Sequence, residues 1–272
     1  MKIFKNKLTL NKEISREENL SFVPTMGGLH NGHKYLIKKA QQTQKKVLVS
    51  IFVNPKQFNS KKDYKTYPRN LKKDLKILKN LKVNYVFLPN KKDLFKFKPN
   101  NKIFKDKFIK KLCGKYRKNH FSGVLNVVNR LLEIVKPKRI FLGEKDYQQL
   151  YLIKKHIEKR KISTKVISCK TIRENNGLAC SSRNYNLNKI EREAGSQVFK
   201  ILRFEKNLVK KNKFFKLSVK NIKNKLINLG INRVEYIKPL NLKTLKTPMY
   251  SKSNYRIFIS YYIKKIRLID NI

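Results

Sequence analysis

Val23-Pro24-Thr25-Met26-Gly27-Gly28-Leu29-His30-Asn31-Gly32-His33-Lys34-Tyr35-Leu36-Ile37-Lys38-Lys39-Ala40 is the stretch on which the fold turns. It runs from the end of an apolar strand through a glycine turn into a helix that opens on two histidines. His30 and His33 lie three residues apart, so they share one helix face. Gly32 between them leaves room for a phosphate to approach the backbone. The helix N-terminus adds unpaired N–H groups and a partial positive charge, and the whole reads as a nucleotide-phosphate site.

Outward from this turn, short apolar runs alternate with amphipathic helical stretches, the pattern of a parallel sheet with helices on both faces. Leu20 to Pro24 reads as a first strand and the apolar run Val47 to Val53 as a second. Leu36, Ile37 and Ala40 give the linking helix a buried stripe. Leu71, Leu75, Leu78 and Leu81 recur at helical spacing before a strand at Tyr85 to Leu88, and Val124, Val127, Val128, Leu131 and Val135 do so before Ile140 to Leu142. Leu150, Ile153 and Ile157 then precede Lys165 to Ser168. The prediction is an α/β fold, a doubly wound parallel sheet with its ligand beyond the carboxyl ends of the strands. Residues 90–112, rich in Lys, Phe and Asn with weak periodicity, are expected to be mobile or peripheral. After about Ile172 the pattern changes to helices near Lys189 to Lys210 and Leu217 to Leu229, then strands at Arg233 to Ile237, Tyr255 to Tyr262 and Ile266 to Leu268. The predicted domains are therefore 1–171 and a smaller helix-plus-antiparallel-sheet domain at 172–272.

The 272 residues suffice for one large domain, or a large and a small one, each with its own core. The chain carries 67 Lys and Arg against 17 Asp and Glu, a formal charge of +50. Such an excess invites a nucleic-acid reading. The lysines, however, are spread among Asn and Ile from end to end, which favours compositional drift in an AT-biased genome over a dedicated polyanion surface. Weak, indiscriminate anion binding and no specific nucleic-acid partner are expected. Cys113, Cys169 and Cys180 form no Cys-x-x-Cys pair and are odd in number, which suits a reducing compartment and small buried side chains. No run approaches the ~20 apolar residues of a membrane span, and Met1 to Leu10 lacks a signal-peptide core. A cytoplasmic protein with no membrane partner is the expectation.

Four further stretches carry chemistry. Asn54-Pro55-Lys56-Gln57-Phe58 leaves the second strand at its ligand-facing edge, where amides can donate to a carboxylate and accept from a hydroxyl; taken alone, an Asn-Pro turn explains it as well. Arg117 and His120 stand just before a helix, a possible anion site, although a lone histidine there more often packs in a loop. Gly143-Glu144-Lys145-Asp146-Tyr147-Gln148-Gln149-Leu150 again follows an apolar strand and opens a helix. Gly143 allows close backbone approach, Lys145 can neutralise phosphate, Asp146 can accept from ribose hydroxyls, and Gln149 lies one turn on. Cys180-Ser181-Ser182-Arg183-Asn184 offers two hydroxyls and a guanidinium to a polyphosphate.

In order and spacing these motifs resemble the pantoate–beta-alanine ligase family, from about Phe22 to Asn186 and more weakly to Arg267–Asn271. The resemblance implies a Rossmann-like sheet of the His-x-Gly-His nucleotidyltransferase group. It implies ATP and Mg²⁺, with pantoate and beta-alanine joined through pantoyl adenylate, release of pyrophosphate and AMP, and no protein nucleophile. Met26 to His33 would bind ATP, with His33 as proton donor and His30 near the reacting phosphate. Gly143, Glu144, Lys145 and Asp146 would bind the nucleotide, Ile172 would offer backbone to adenine, and Cys180, Ser181, Ser182 and Arg183 would close over the phosphates. His30, His33, Lys145 and Arg183 would be the catalytic groups. Gln57 and Gln149 would hold pantoate from two sides, with Met26, Asn54, Arg117 and His120 completing the lining, and Gln57 would border beta-alanine. Residues 1–171 would bind ATP and pantoate beneath a lid formed by 172–272. A homodimer is implied, and no metal ligand is assigned.

Cys113 stands where the family has glutamate, Lys170 where it has proline, and Cys180 where it has leucine or methionine. The loop before Tyr67-Pro68-Arg69, usually acidic, is Ser60-Lys-Lys-Asp-Tyr-Lys-Thr66. None of these removes a group the chemistry requires. Two rivals exist: a related enzyme with another acceptor, against which the two glutamines argue, and a basic RNA-binding protein that lost activity, which would show a clustered basic stripe with stacking aromatics.

Overall fold

The apolar runs form the strands of a parallel sheet, and asparagine side chains cap three of the helices between them. The computed structural model describes residues 1–43 and 46–272. It divides the chain into Met1–Lys170 and Thr171–Ile272. The first unit contains β1 (Lys2–Phe4), α1 (Lys7–Ile14), β2 (Leu20–Thr25), α2 (Asn31–Thr43), β3 (Lys46–Ile51), α3 (Lys61–Lys65), α4 (Leu71–Asn80), β4 (Tyr85–Phe87), α5 (Lys91–Phe95), α6 (Cys113–Tyr116), α7 (His120–Val135), β5 (Arg139–Gly143), α8 (Tyr147–Lys159) and β6 (Lys165–Cys169). The second contains α9 (Lys189–Lys210), α10 (Val219–Asn228), β7 (Arg233–Asn241), β8 (Tyr255–Ile263) and β9 (Ile266–Asn271).

Six strands lie in the order β1-β4-β3-β2-β5-β6, every neighbouring pair parallel. The central strands β2 and β3 are buried almost throughout, as strands covered on both faces must be. Val23, Val47, Val49, Val86 and Phe141 of the sheet pack with Leu29, Ile37, Ala40 and Leu78 from the turn and helices beside them. α7 is buried almost all round, which explains its apolar composition. Asn6, Asn70 and Asn90 cap α1, α4 and α5, each side chain accepting a backbone N–H of the first turn.

One expectation changes and another is narrowed. Leu20–Thr25 is not the first strand: three residues at Lys2–Phe4 add an edge strand beside β4. Its short length and Lys-Ile-Phe sequence give no periodic signal. Residues 90–112 do lie at the periphery, mostly exposed or half-buried, but are tied to the rest of the unit at several points. Leu94 and Phe108 are fully buried, and Gln148 Nε2 donates to the carbonyls of Phe108 and Lys111 at 2.8 and 2.7 Å. Glu133 accepts from the N–H groups of Asn100 and Asn101. Asn129 donates to Asn101 O, and the buried His156 accepts from Phe104 N and donates to Asn129 Oδ1.

In the second unit β7, β8 and β9 form an antiparallel meander. Val198 and Leu202 of α9 and Ile222 and Leu226 of α10 bury their side chains with Ile257, Ile259 and Tyr261 of β8. Asn188 and Glu191 form a capping box at the start of α9. Cys113, Cys169 and Cys180 are free and buried.

Candidate active site

β2 and β5 are neighbours, yet the chain leaves β2 toward β3 and β4 on one side and β5 toward β6 on the other. The strand order reverses between them. The loops beyond their carboxyl ends, Met26–His30 and Glu144–Asp146, therefore open on one crevice. Lys145 lies near enough to both His30 and His33 to lower their affinity for protons, and Asp146 near enough to His33 to raise it.

The spacing of the two histidines has a structural cause. His30 Nδ1 accepts the Gly32 N–H at 3.1 Å, and His33 Nδ1 accepts the His30 N–H at 3.3 Å. Together they make a reciprocal cap at the start of α2, with imidazoles in the roles usually filled by Ser and Glu. The ring centroids are 4.0 Å apart. Burial is the largest cause lowering the pKa of both rings, bringing His33 to about 4 and His30 lower still. Both are neutral at pH 7, with Nδ1 accepting and Nε2–H left as a donor. The pair presents hydrogen-bond donors, and the positive charge comes from Lys145.

Sequence reasoning missed Asp74. This carboxylate on α4, 2% exposed, accepts the N–H groups of Gly28 at 2.9 Å and Leu29 at 2.8 Å. Gly27 has φ +76°, and a Cβ there would come within 2.9 Å of Asp74 Oδ2, so glycine permits the approach. The turn is thus less open to anions than the sequence implied. The N–H groups of Gly28, Leu29, His30 and Gly32 already have protein acceptors. An aspartate 46 residues from Gly28 gives no sequence-local signal.

Across the crevice, Gln57 ends the short turn Pro55–Gln57. Its amide is fixed by Asn54 Nδ2, which donates to Gln57 Oε1 at 3.2 Å, and its Nε2 donates to Met26 Sδ. Asn54, 1% exposed, also donates to Gly123 O at 3.1 Å and accepts from Lys56 N at 3.1 Å. Its amide thus caps the turn Pro55–Gln57 and ties it to α7. Arg117 and His120 likewise hold the Gln57 carbonyl: His120 Nδ1–H donates to it at 2.6 Å and Arg117 Nη2 at 3.2 Å, while Arg117 Nη1 donates to His120 Nε2. Gly123 lets α7 meet this turn, since a Cβ there would lie 2.5 Å from Lys56 O.

On the β5 side a Cβ added to Gly143 would meet nothing within 4 Å, so the backbone faces open space. Lys145 pairs with Asp146 at 3.7 Å. Gln149 is half-buried in the first turn of α8, while its neighbour Gln148 points away to hold residues 108 and 111.

The remaining candidates belong to the second unit. Cys180 N–H donates to Ile172 O at 2.9 Å, closing a small hairpin that includes the Arg173–Ala179 bridge. Ser181 caps the turn Ser182–Asn186 by accepting from Arg183 N at 3.3 Å. Ser182 is buried and Arg183 half-buried. Arg173 anchors the hairpin by a two-point bond to the buried Asp270 at 2.6 and 3.0 Å. Glu174 anchors the turn by accepting from Asn184 and Arg192. These anchors too join residues far apart in the chain.

A doubly wound parallel sheet with a histidine cap and a lysine at its switch point defines a nucleotide-dependent α/β enzyme. The family is settled over the whole length: the model of the pantoate-beta-alanine ligase family matches residues 2–272, and the chain belongs to that family. It is 43% identical over 263 residues to the pantothenate synthetase of Francisella philomiragia, spanning 96% of this chain and 92% of that one. The crystal structure of pantoate-beta-alanine ligase from Francisella tularensis complexed with beta-gamma ATP and beta-alanine matches with a TM-score of 0.84 at 40% identity, covering 100% of this chain and 97% of that one. Pantothenate synthetase from Thermus thermophilus gives 0.89 at 30% identity, covering 100% and 99%. The predicted fold class, a doubly wound sheet with a small antiparallel domain, is that of these structures.

Proposed function

We propose that this chain condenses pantoate with beta-alanine at the expense of ATP, forming pantoyl adenylate and pyrophosphate first, then pantothenate and AMP. The observation that carries the reading is the histidine cap beside Lys145: two neutral rings with Nε2–H donors, and one ammonium, at the switch point. A pantoate carboxylate oxygen attacks the α-phosphorus and pyrophosphate leaves. The beta-alanine amine then attacks the acyl carbon and AMP leaves. Neither step needs a protein nucleophile, so the protein aligns the reactants and stabilises charge developing on phosphate.

In this reading the Nε2–H groups of His30 and His33 donate to phosphate oxygens and Lys145 neutralises them. Met26 to His33 and Gly143 to Asp146 hold ATP, Asp146 through the ribose. Ile172 meets adenine, and Cys180, Ser181, Ser182 and Arg183 meet the phosphates. Gln57 and Gln149 hold pantoate with Met26, and Gln57 also borders beta-alanine. Asn54, Arg117 and His120 act through Gln57 by fixing its amide and carbonyl. Mg²⁺ would be carried by the ATP phosphates, where it would offset their charge, and no residue of this chain is assigned to hold it. The Francisella tularensis enzyme, complexed with beta-gamma ATP and beta-alanine, supports the assignment of those two ligands. A homodimer in the cytoplasm completes the proposal. No described helix is long and apolar enough to cross a membrane.

The test is formation of AMP and pantothenate with ATP, Mg²⁺, pantoate and beta-alanine, each organic substrate omitted in turn. Pantothenate should need the full set, whereas exchange of pyrophosphate into ATP should need pantoate but no beta-alanine. Absence of both reactions at low and high salt would overturn the reading.

A further inference from the structure

The basic residues are spread evenly along the chain, but the acidic residues that would offset them are not. From Lys206 to Ile269 the chain has one acidic residue, Glu235, against seventeen Lys and Arg. Glu235 is taken by Arg267, while Lys225 and Lys264 pair with Glu205 and Glu191. Within this stretch two segments run antiparallel. Phe215 N–H donates to Met249 O at 2.9 Å, Ser251 N–H donates to Lys213 O at 3.2 Å, and Phe214 and Tyr250 are bridge partners. Extended backbone sends successive side chains to opposite faces. Phe215 accordingly packs edge-on against the buried Tyr255 at 5.0 Å. Phe214 and Tyr250 point out, stacked at 5.9 Å with 28° between their planes, and remain 62% and 51% exposed.

The stacked pair keeps more than half of each residue's surface open to solvent. Lys213 Nζ lies 5.8 Å from the Phe214 centroid. Lys210, Lys211, Lys213, Lys216 and Lys252, the cations nearest the rings along the chain, are exposed, and among the described residues none pairs with a carboxylate. Aromatic faces among unpaired cations are the two components of a sequence-tolerant site for unpaired bases, which stack on rings while their phosphates meet lysines. A second copy of a chain with a charge of +50 is repelled from such a surface, and a duplex keeps its bases from the rings. We propose that Phe214, Tyr250 and these lysines form a binding site for single-stranded nucleic acid, with no preference for sequence.

The test is fluorescence anisotropy with the full chain and a labelled 15-residue oligouridylate, across a potassium chloride series, against an RNA duplex of the same length and inorganic polyphosphate. The single strand should bind tightest, and its affinity should fall linearly with salt on logarithmic axes. Phe214→Ala with Tyr250→Ala should weaken the single strand about tenfold or more, while leaving polyphosphate binding, thermal melting and AMP formation unchanged. Equal binding of polyphosphate and oligouridylate by the parent chain would overturn the proposal, leaving only incidental polyanion affinity. Unchanged oligouridylate binding by the double variant would do the same. A change in sedimentation coefficient alone would assign the rings to contact between copies of the chain.

Discussion

Asp74 does for the Gly27–Leu29 turn what a bound anion does for a nest of N–H groups. Asp74→Asn keeps the volume but sets an NH₂ group against one of the two backbone donors. An unmatched buried donor costs about 1–3 kcal/mol. The expected result is a fall of about ten- to a hundredfold in kcat/KM for ATP, with KM for beta-alanine unchanged, read by steady-state kinetics. The histidines make a second prediction. Each accepts a backbone N–H only while Nδ1 is unprotonated, and burial brings His33 to about 4. In the unfolded chain histidine titrates near about 6.5. The stability contributed by the neutral ring is therefore complete above that value and is lost as pH falls toward 4. Pyrophosphate exchange should stay level through the ordinary histidine range and decline only near 4; a limb near the ordinary value would contradict the cap. At this scale the sequence showed which side chains carry chemistry and not what holds them. The His30–His33 spacing was legible, but Asp74, Arg173 and Asp270 act across long chain separations that no local pattern records.

α7 meets the Pro55–Gln57 turn where Gly123 has no side chain. Gly123→Ala puts a methyl 2.5 Å from Lys56 O, so the turn must move and carry Gln57 with it. Overpacking of this kind costs about 1–3 kcal/mol. The melting temperature should fall, and KM for pantoate should rise more than KM for ATP. The same helix joins α8 in tying down residues 100–104 through Asn129 and His156. Burial is the main cause lowering His156 to about 4, and Arg160 adds to it. The unfolded chain takes up that proton first as pH falls, so stability drops below the ordinary histidine range. In urea unfolding at pH 7.5 and pH 5, His156→Gln should lose less stability on acidification than the parent; equal losses would show that the ring is solvated. Helices and central strands were readable because Leu, Ile and Val recur there at clear periods. Lys2–Phe4 is too short to show a period, and residues 90–112 are held by carbonyls and N–H groups that side-chain patterns do not reveal.

A charge of +50 opposes folding through its own repulsion. Raising sodium chloride from about 0.1 to about 1 M shortens the screening length from about 10 to about 3 Å. Melting temperature should therefore climb by several degrees in that series. A fall would mean that ion pairs such as Arg173–Asp270 outweigh the repulsion. The sheet order was only partly legible: the doubly wound pattern followed from alternating elements, but the place of β1 beyond β4 depends on a pairing between residues 2–4 and 85–87. The sulfur atoms offer a means of following the whole chain. Cys113, Cys169 and Cys180 are buried in separate parts of it, and burial pushes the Cys169 thiol up to about 11. Alkylating reagents attack thiolates and need access to them. Folded molecules should pass through iodoacetamide unmodified, while each opened one gains label and mass, so intact-mass spectra of a partly denatured sample would count folded and opened chains directly.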